Sequence, residues 1–176
     1  MRRGVRRAAW RGLSAVRILG IDCGSHLTGY GVIETGSPRH RLVEAGVVRT
    51  DLRSPFPERL LTIAGALRAV VVKCAPDEAA VEETFQSVNA ASAIKLTQVR
   101  GAVLLVLAEA GLKVGEYPPA RVKLAVTGNG RADKQQVQWM VRSLLNLAEP
   151  VSSFDASDAL AVALCHAASR TAEVAR

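Results

Sequence analysis

Hydrophobic positions along this chain fall into two patterns, short apolar runs bounded by turn residues and longer stretches at helical spacing. Ile18 to Asp22 is a short apolar run closed by an acid, and Cys23–Leu27 is a Gly/Ser turn. Thr28–Glu34 is a second extended run, close enough to the first to form an antiparallel hairpin. After a Gly-Ser-Pro turn, residues 39–50 read as a third strand. The rhythm then changes. Residues 56–74 place leucine, isoleucine and alanine at helical spacing behind a proline-containing start. A Pro-Asp turn leads to a fourth strand, Glu78–Glu82, then a long helix over 88–111 and a fifth strand over 113–117. Two more helices are expected over 133–147 and 154–172. A hairpin series followed by alternating helix and strand predicts an α/β fold, a mixed five-stranded sheet flanked by helices in a single domain.

A chain of 176 residues suits one domain, which at this size buries about 70% of its unfolded surface. The formal charge of +7 resembles a nucleic-acid signal, but residues 1–17 hold six arginines and no acid, so only +1 remains for the rest. Affinity for nucleic acid in a nearly neutral body must come from a local patch. The folded domain is expected over 17–172, preceded by a basic extension over 1–16. That extension reads as a disordered arm adding phosphate contacts, as an organelle transit peptide, or as a start-site artefact with initiation near Val16. The artefact is favoured, because Val16 stands immediately before the first strand.

Cys23, Cys74 and Cys165 are odd in number and far apart, with no C-x-x-C pair, which fits a reduced cytosol rather than a secreted or zinc-bound fold. The run GAVLLVLAEAG is too short to span a bilayer, and Lys95 and Arg100 precede it. A soluble cytoplasmic protein with no membrane partner is expected.

The candidate chemistry lies in acids beside apolar sequence. Asp22 and Glu82 each end a buried strand, and Asp155 and Asp158 stand at the head of the last helix, three residues apart on one face. Each has an ordinary reading. Asp155 is a good N-cap with Asp158 at the third helical position, Asp22 could cap its turn, and Glu82 could be a strand-end surface charge. Together they are four carboxylates from three separate elements. Clustered acids repel and raise one another's pKa unless cations neutralise them. Oxygen ligands without a Cys or His complement select Mg2+ or Mn2+ over zinc. Two such ions roughly 4 Å apart would activate a water and stabilise the leaving oxygen in phosphodiester cleavage.

Residues 121–134 supply the local basic patch, with Arg121, Lys123, Arg131 and Lys134 against only Asp133, and with Gly128 and Gly130 permitting close backbone approach. A solvated loop is the plainer alternative. Phe85, one of seven aromatics, follows a strand and precedes a polar stretch, where core packing is the ordinary expectation.

Four blocks, ILGIDCGSHLTGYGVIE, VEETFQSVNAASAIKLTQVRGAVL, EYPPARVKLAVTGNGRADKQQVQWMV and DASDALAVALCH, together resemble the bacterial RuvC-type Holliday-junction resolvases of the ribonuclease-H-like fold, from about Arg17 to His166. The resemblance implies a structure-specific endonuclease that cuts paired strands symmetrically, leaving 5′-phosphate and 3′-hydroxyl ends. It implies Asp22, Glu82, Asp155 and Asp158 as metal ligands. Glu82 is chosen over Glu83 because it matches the family acid three residues before Phe85. It places Lys123 and Lys134 near the scissile phosphate and Phe85 against bases unstacked at the junction centre. It also implies a homodimer formed through the 88–111 region, a RuvA–RuvB branch-migration partner and a thymine-containing cleavage preference. That helix carries Ala90, Ala91, Ala93, Ile94, Leu96, Val103, Leu104 and Val106 over more of its circumference than one sheet face needs, so a buried core helix is the alternative.

The chain departs from the family at Cys23, usually Pro, and at Ser157, usually Ala. Three rivals remain. GIDCGS resembles the phosphate loop of actin-like ATPases and sugar kinases, which need about twice this length. A YqgF-like RNA-processing nuclease shares the Asp22 loop but not the blocks at 82–101 and 119–141, and a noncatalytic junction-binding protein requires a degenerate acid set.

Overall fold

The computed structural model describes residues 15–36, 39–83 and 90–174. Strands β1 (Arg17–Asp22), β2 (Leu27–Glu34) and β3 (Arg41–Arg49) are followed by helix α1 (Phe56–Cys74), β4 (Glu78–Glu82), α2 (Ala90–Glu109) and β5 (Lys113–Tyr117). Helices α3 (Pro119–Thr127), α4 (Lys134–Leu144) and α5 (Phe154–Val174) complete the chain. The five-stranded sheet has the order β3-β2-β1-β4-β5. β1 pairs antiparallel with β2 and parallel with β4, which gives the mixed sheet of the ribonuclease-H-like fold. Val16 is already tied to the sheet, since its N–H donates to Thr35 Oγ1 at 2.9 Å and its carbonyl accepts from Thr35 N–H.

Period-two alternation sends each strand's side chains to two separate cores. Leu19, Ile21, Val32 and Val81 join Ile63, Leu67, Val103 and Leu107 of α1 and α2. Ile18, Ile33, Ala80 and Tyr117 join the opposite core with α3, α4 and α5. There α5 lies close to the sheet because glycines face it. A Cβ at Gly20 would come within 2.1 Å of the Ala159 carbonyl oxygen, and one at Gly29 within 2.0 Å of that of Asp155. The head of α5 can therefore rest on the end of β1 only with glycine at these positions.

The structure corrects several expectations. Helix α3 lies where a solvated loop was the plainer alternative, and it carries Arg121 and Lys123 of the basic stretch. Pro119 opens it at the position where a missing N–H costs nothing, Val122 and Val126 form its single buried stripe, and Gly128 ends it at φ 74. Asp133 caps α4 rather than belonging to it, through a reciprocal box with Gln136. α4 also stops at Leu144, three residues earlier than expected, and Asn146 then turns into the left-handed region at φ 53. α5 begins at Phe154, so Asp155 sits in the first turn instead of capping it. α2 is not a buried core helix. By length and composition it could cross a membrane, but Val99, Val103, Val106 and Leu107 are buried, while Ile94 is 60% exposed and Leu105 58%.

Candidate active site

Adjacent parallel strands deliver the first two acids. Ile21 pairs with Val81, so Asp22 and Glu82 leave the C-terminal ends of these two strands side by side, both toward the α5 face. Helix α5 brings Asp158 over them, and α3 and α4 add a wall that carries Lys123 and Lys134. Asp22, Glu82, Asp158, Lys123 and Lys134 line one cleft of about 270 Å³ with Pro119, Val122, Val137 and Ala161. Asp155 does not line it, although its charge acts on Asp22 and Asp158; its Oδ2 accepts from Ser153 Oγ at 3.4 Å. Phe85 lies outside the described residues. The apolar wall of Val122 and Val137 was not anticipated, and recognising α3 from the Pro118–Pro119 start would have supplied Val122.

Electrostatics bind these groups into one unit. The Asp22 carboxyl is pushed up to about 8, first by burial, then by the charges of Glu82, Asp158 and Asp155, with Lys134 opposing. Glu82 is pushed up to about 7 by burial and by Asp158, against Lys123 and Lys134. Asp158 is raised by burial, and Lys134 and Lys123 oppose that rise. For Lys134, burial works against the charged form, but Asp158, Asp22 and Asp155 outweigh it and raise its pKa. Its Nζ stands 3.4 Å from Asp158 Oδ2.

Among the described residues, no three carboxylate, imidazole or thiol groups are closed around a common point as a finished metal cage. The acids share one cleft and raise one another's pKa, with Lys134 and Lys123 opposing that rise. An oxygen-only donor set with two carboxyls raised this far fits a hard divalent cation, which would lower the repulsion that the two lysines only partly relieve.

The two departures from the family pattern each stand next to an acid of this site in the chain but do not line the cleft. Cys23 is half-buried, and burial followed by the Asp22 charge pushes its thiol up to about 12, so it remains a protonated small hydrophobe. Ser157 is buried, and its Oγ finds no hydrogen-bond partner among the described residues.

A protein-family model, crossover junction endodeoxyribonuclease RuvC, matches residues 18–166. This chain belongs to the RuvC family. The family member of Pelobacter propionicus is 50% identical over 151 residues, 86% of this chain and 85% of that protein. That of Geobacter metallireducens is 51% identical over 152 residues, 86% of this chain and 92% of the relative. Among solved structures, Thermus thermophilus RuvC bound to a Holliday-junction substrate is 37% identical, with a TM-score of 0.83 over 89% of this chain and 96% of that one. The yeast mitochondrial resolvase Ydc2, 12% identical with a TM-score of 0.60 over 85% of this chain and 78% of that one, shares the fold. The family match takes in the whole of the 82–101 and 119–141 blocks that a YqgF-like reading leaves unexplained.

Proposed function

We propose that the cleft hydrolyses phosphodiester bonds in four-way DNA junctions, cutting paired strands symmetrically, with Asp22, Glu82, Asp155 and Asp158 serving two Mg2+ ions that Mn2+ can replace. The observation that carries this is the meeting of acids from β1, β4 and α5 with two lysines in one cleft, within a chain of the RuvC family. When bound, the ions supply an activated water and charge for the leaving oxygen. Asp22, Glu82 and Asp158 would hold them from the cleft, with Asp155 as the fourth carboxylate, in the first turn of α5. Lys123 and Lys134 draw the scissile phosphate into the cleft, which the acids alone would repel. Phe85 stacks on a base unstacked at the junction centre.

A junction has near two-fold symmetry, and a C2 homodimer presents two such clefts to opposed strands. The surface that fits a second copy is the open side of α2, where Ile94 and Leu105 are exposed and a Cβ at Gly101 would meet no atom of the described residues within 4 Å. Light scattering of Leu105→Lys tests it, with a monomer expected. The family further implies work beside a RuvA–RuvB branch-migration complex in the cytoplasm, where Cys23, Cys74 and Cys165 stay reduced.

The deciding experiment is one gel of purified protein with a labelled four-way junction, linear duplex and structured RNA, each with and without Mg2+. Symmetric nicks in the junction alone, and only with Mg2+, are expected. Cleavage of RNA in preference to the junction would favour the YqgF-like reading instead.

A further inference from the structure

Below the cleft, on the same sheet face, lies a buried polar chain that the chemistry above does not use. His166 of α5 is nearly inaccessible, with Nδ1 2.7 Å from Tyr117 Oη and Nε2 2.8 Å from Glu78 Oε2. A carboxylate only accepts, so Nε2 carries the hydrogen, and in a neutral ring Tyr117 O–H donates to Nδ1. Arg170, one turn further along α5, also holds Glu78, at 2.9 Å. Space for the ring is made by Gly115, where a Cβ would stand 2.5 Å from Nδ1. The ring of Tyr117 lies under the Arg121 guanidinium at 5.1 Å, and Tyr117 directly precedes the prolines that start α3.

The spacing of this chain matches that of the acids. Glu78 and Glu82 are four residues apart on one face of β4, about 13 Å. Asp158 and His166 are eight residues apart on α5, about 12 Å. Once His166 is bonded to Glu78, Asp158 is placed opposite Glu82. We propose that His166 is a positioning residue, whose bonds to Glu78 and Tyr117 set the register of α5 against β4 and β5 and so the gap between Asp158 and Glu82. The inference rests on the cleft being a cation site. It adds that the site's geometry is fixed about two helical turns from the cation.

The test uses full-length wild type, His166→Phe, Tyr117→Phe and His166→Gln. Mn2+ is titrated while the thermal midpoint is followed without DNA, and single-turnover junction cleavage is measured over the same cation series. His166→Phe keeps the ring and loses both bonds, and it should need about 10-fold more cation in both assays, at the lower end of the cost of losing an outer partner of a metal ligand. Its junction affinity without cation should be unchanged. Tyr117→Phe should shift the cation midpoint less, in the same direction. His166→Gln, whose amide offers a donating NH2 and an accepting carbonyl, should stay near wild type. If His166→Phe does not fold, the Tyr117→Phe shift decides. Wild-type cation midpoints in folded His166→Phe or Tyr117→Phe would overturn the clamp, as would an equal loss of junction affinity. A wild type that neither responds to cation nor cuts would overturn the cleft assignment, and the clamp with it.

Discussion

On the α1/α2 face of the sheet, Leu19, Ile21, Val32 and Val81 meet Ile63, Leu67, Val103 and Leu107. On the other face the same strands offer Gly20, Gly29, Gly31 and Ala80, with Asp22 and Glu82 at their ends. The first face is joined by large aliphatic side chains, which hold their helices off the sheet and tolerate small changes of shape. The second is joined in part by close approach of backbones at the glycines, which leaves little slack where the acids meet. Stability can come from either arrangement, but a site assembled from three elements needs the second.

That contrast can be broken at graded positions. The largest effect should follow removal of an acid. Asp22→Asn, Glu82→Gln or Asp158→Asn should bind junction DNA and fail to cut it, a loss beyond the roughly 10–100-fold of an outer partner. Asp155→Asn, whose side chain does not line the cleft, should keep the most residual activity. Quantitative cleavage and gel-shift assays check both, and full Mg2+-dependent cutting by any of the first three would remove that residue from the site. Lys123→Ala should weaken cutting while keeping part of the binding, and unchanged turnover would exclude its role.

Next is Gly29→Ala. Its Cβ would meet the Asp155 carbonyl oxygen at 2.0 Å, so the head of α5 must move. A cost of about 1–3 kcal/mol is expected in denaturant melts, together with a clear loss of cleavage. On the opposite face, Ile63→Val should cost a comparable or smaller amount, about 0.5–1.5 kcal/mol, yet leave the single-turnover rate of the folded protein unchanged. Equal effects on cleavage would dissolve the distinction between the faces. The smallest change is Ser157→Ala. Removing a buried hydroxyl with no hydrogen-bond partner should be neutral or stabilise by about 1 kcal/mol, with cleavage intact; a marked destabilisation would show that the hydroxyl is satisfied.

Much of this was legible beforehand, for physical reasons that differ by element. The strands of the site are short apolar runs between turn residues, and Asp22 and Glu82 are conspicuous because a charge at the tip of an apolar run is costly without a purpose. Helix α3 was hidden because it has nine residues and one buried pair, too short for a periodic signal amid the bases around it. The tight glycine face could not be read, since what a glycine meets is set by a helix more than a hundred residues away. The same holds for His166, whose partners Glu78 and Tyr117 come from two other elements. The exposed side of α2 resembles a core helix in composition, and only its neighbours reveal which half is covered.

The most direct measurement is the thermal midpoint of the DNA-free protein between pH 5 and pH 8, with and without Mn2+. Asp22 is raised from an ordinary 3.8 to about 8 and Glu82 from 4.5 to about 7, so across this range the folded state holds protons that the unfolded chain has released. Stability of the metal-free protein should therefore fall as pH rises, Mn2+ should restore more of it at pH 8 than at pH 5, and Asp22→Asn should flatten both trends. A metal-free midpoint that holds or climbs toward pH 8, with no response to Mn2+, would contradict a carboxylate cluster built to take up divalent cations.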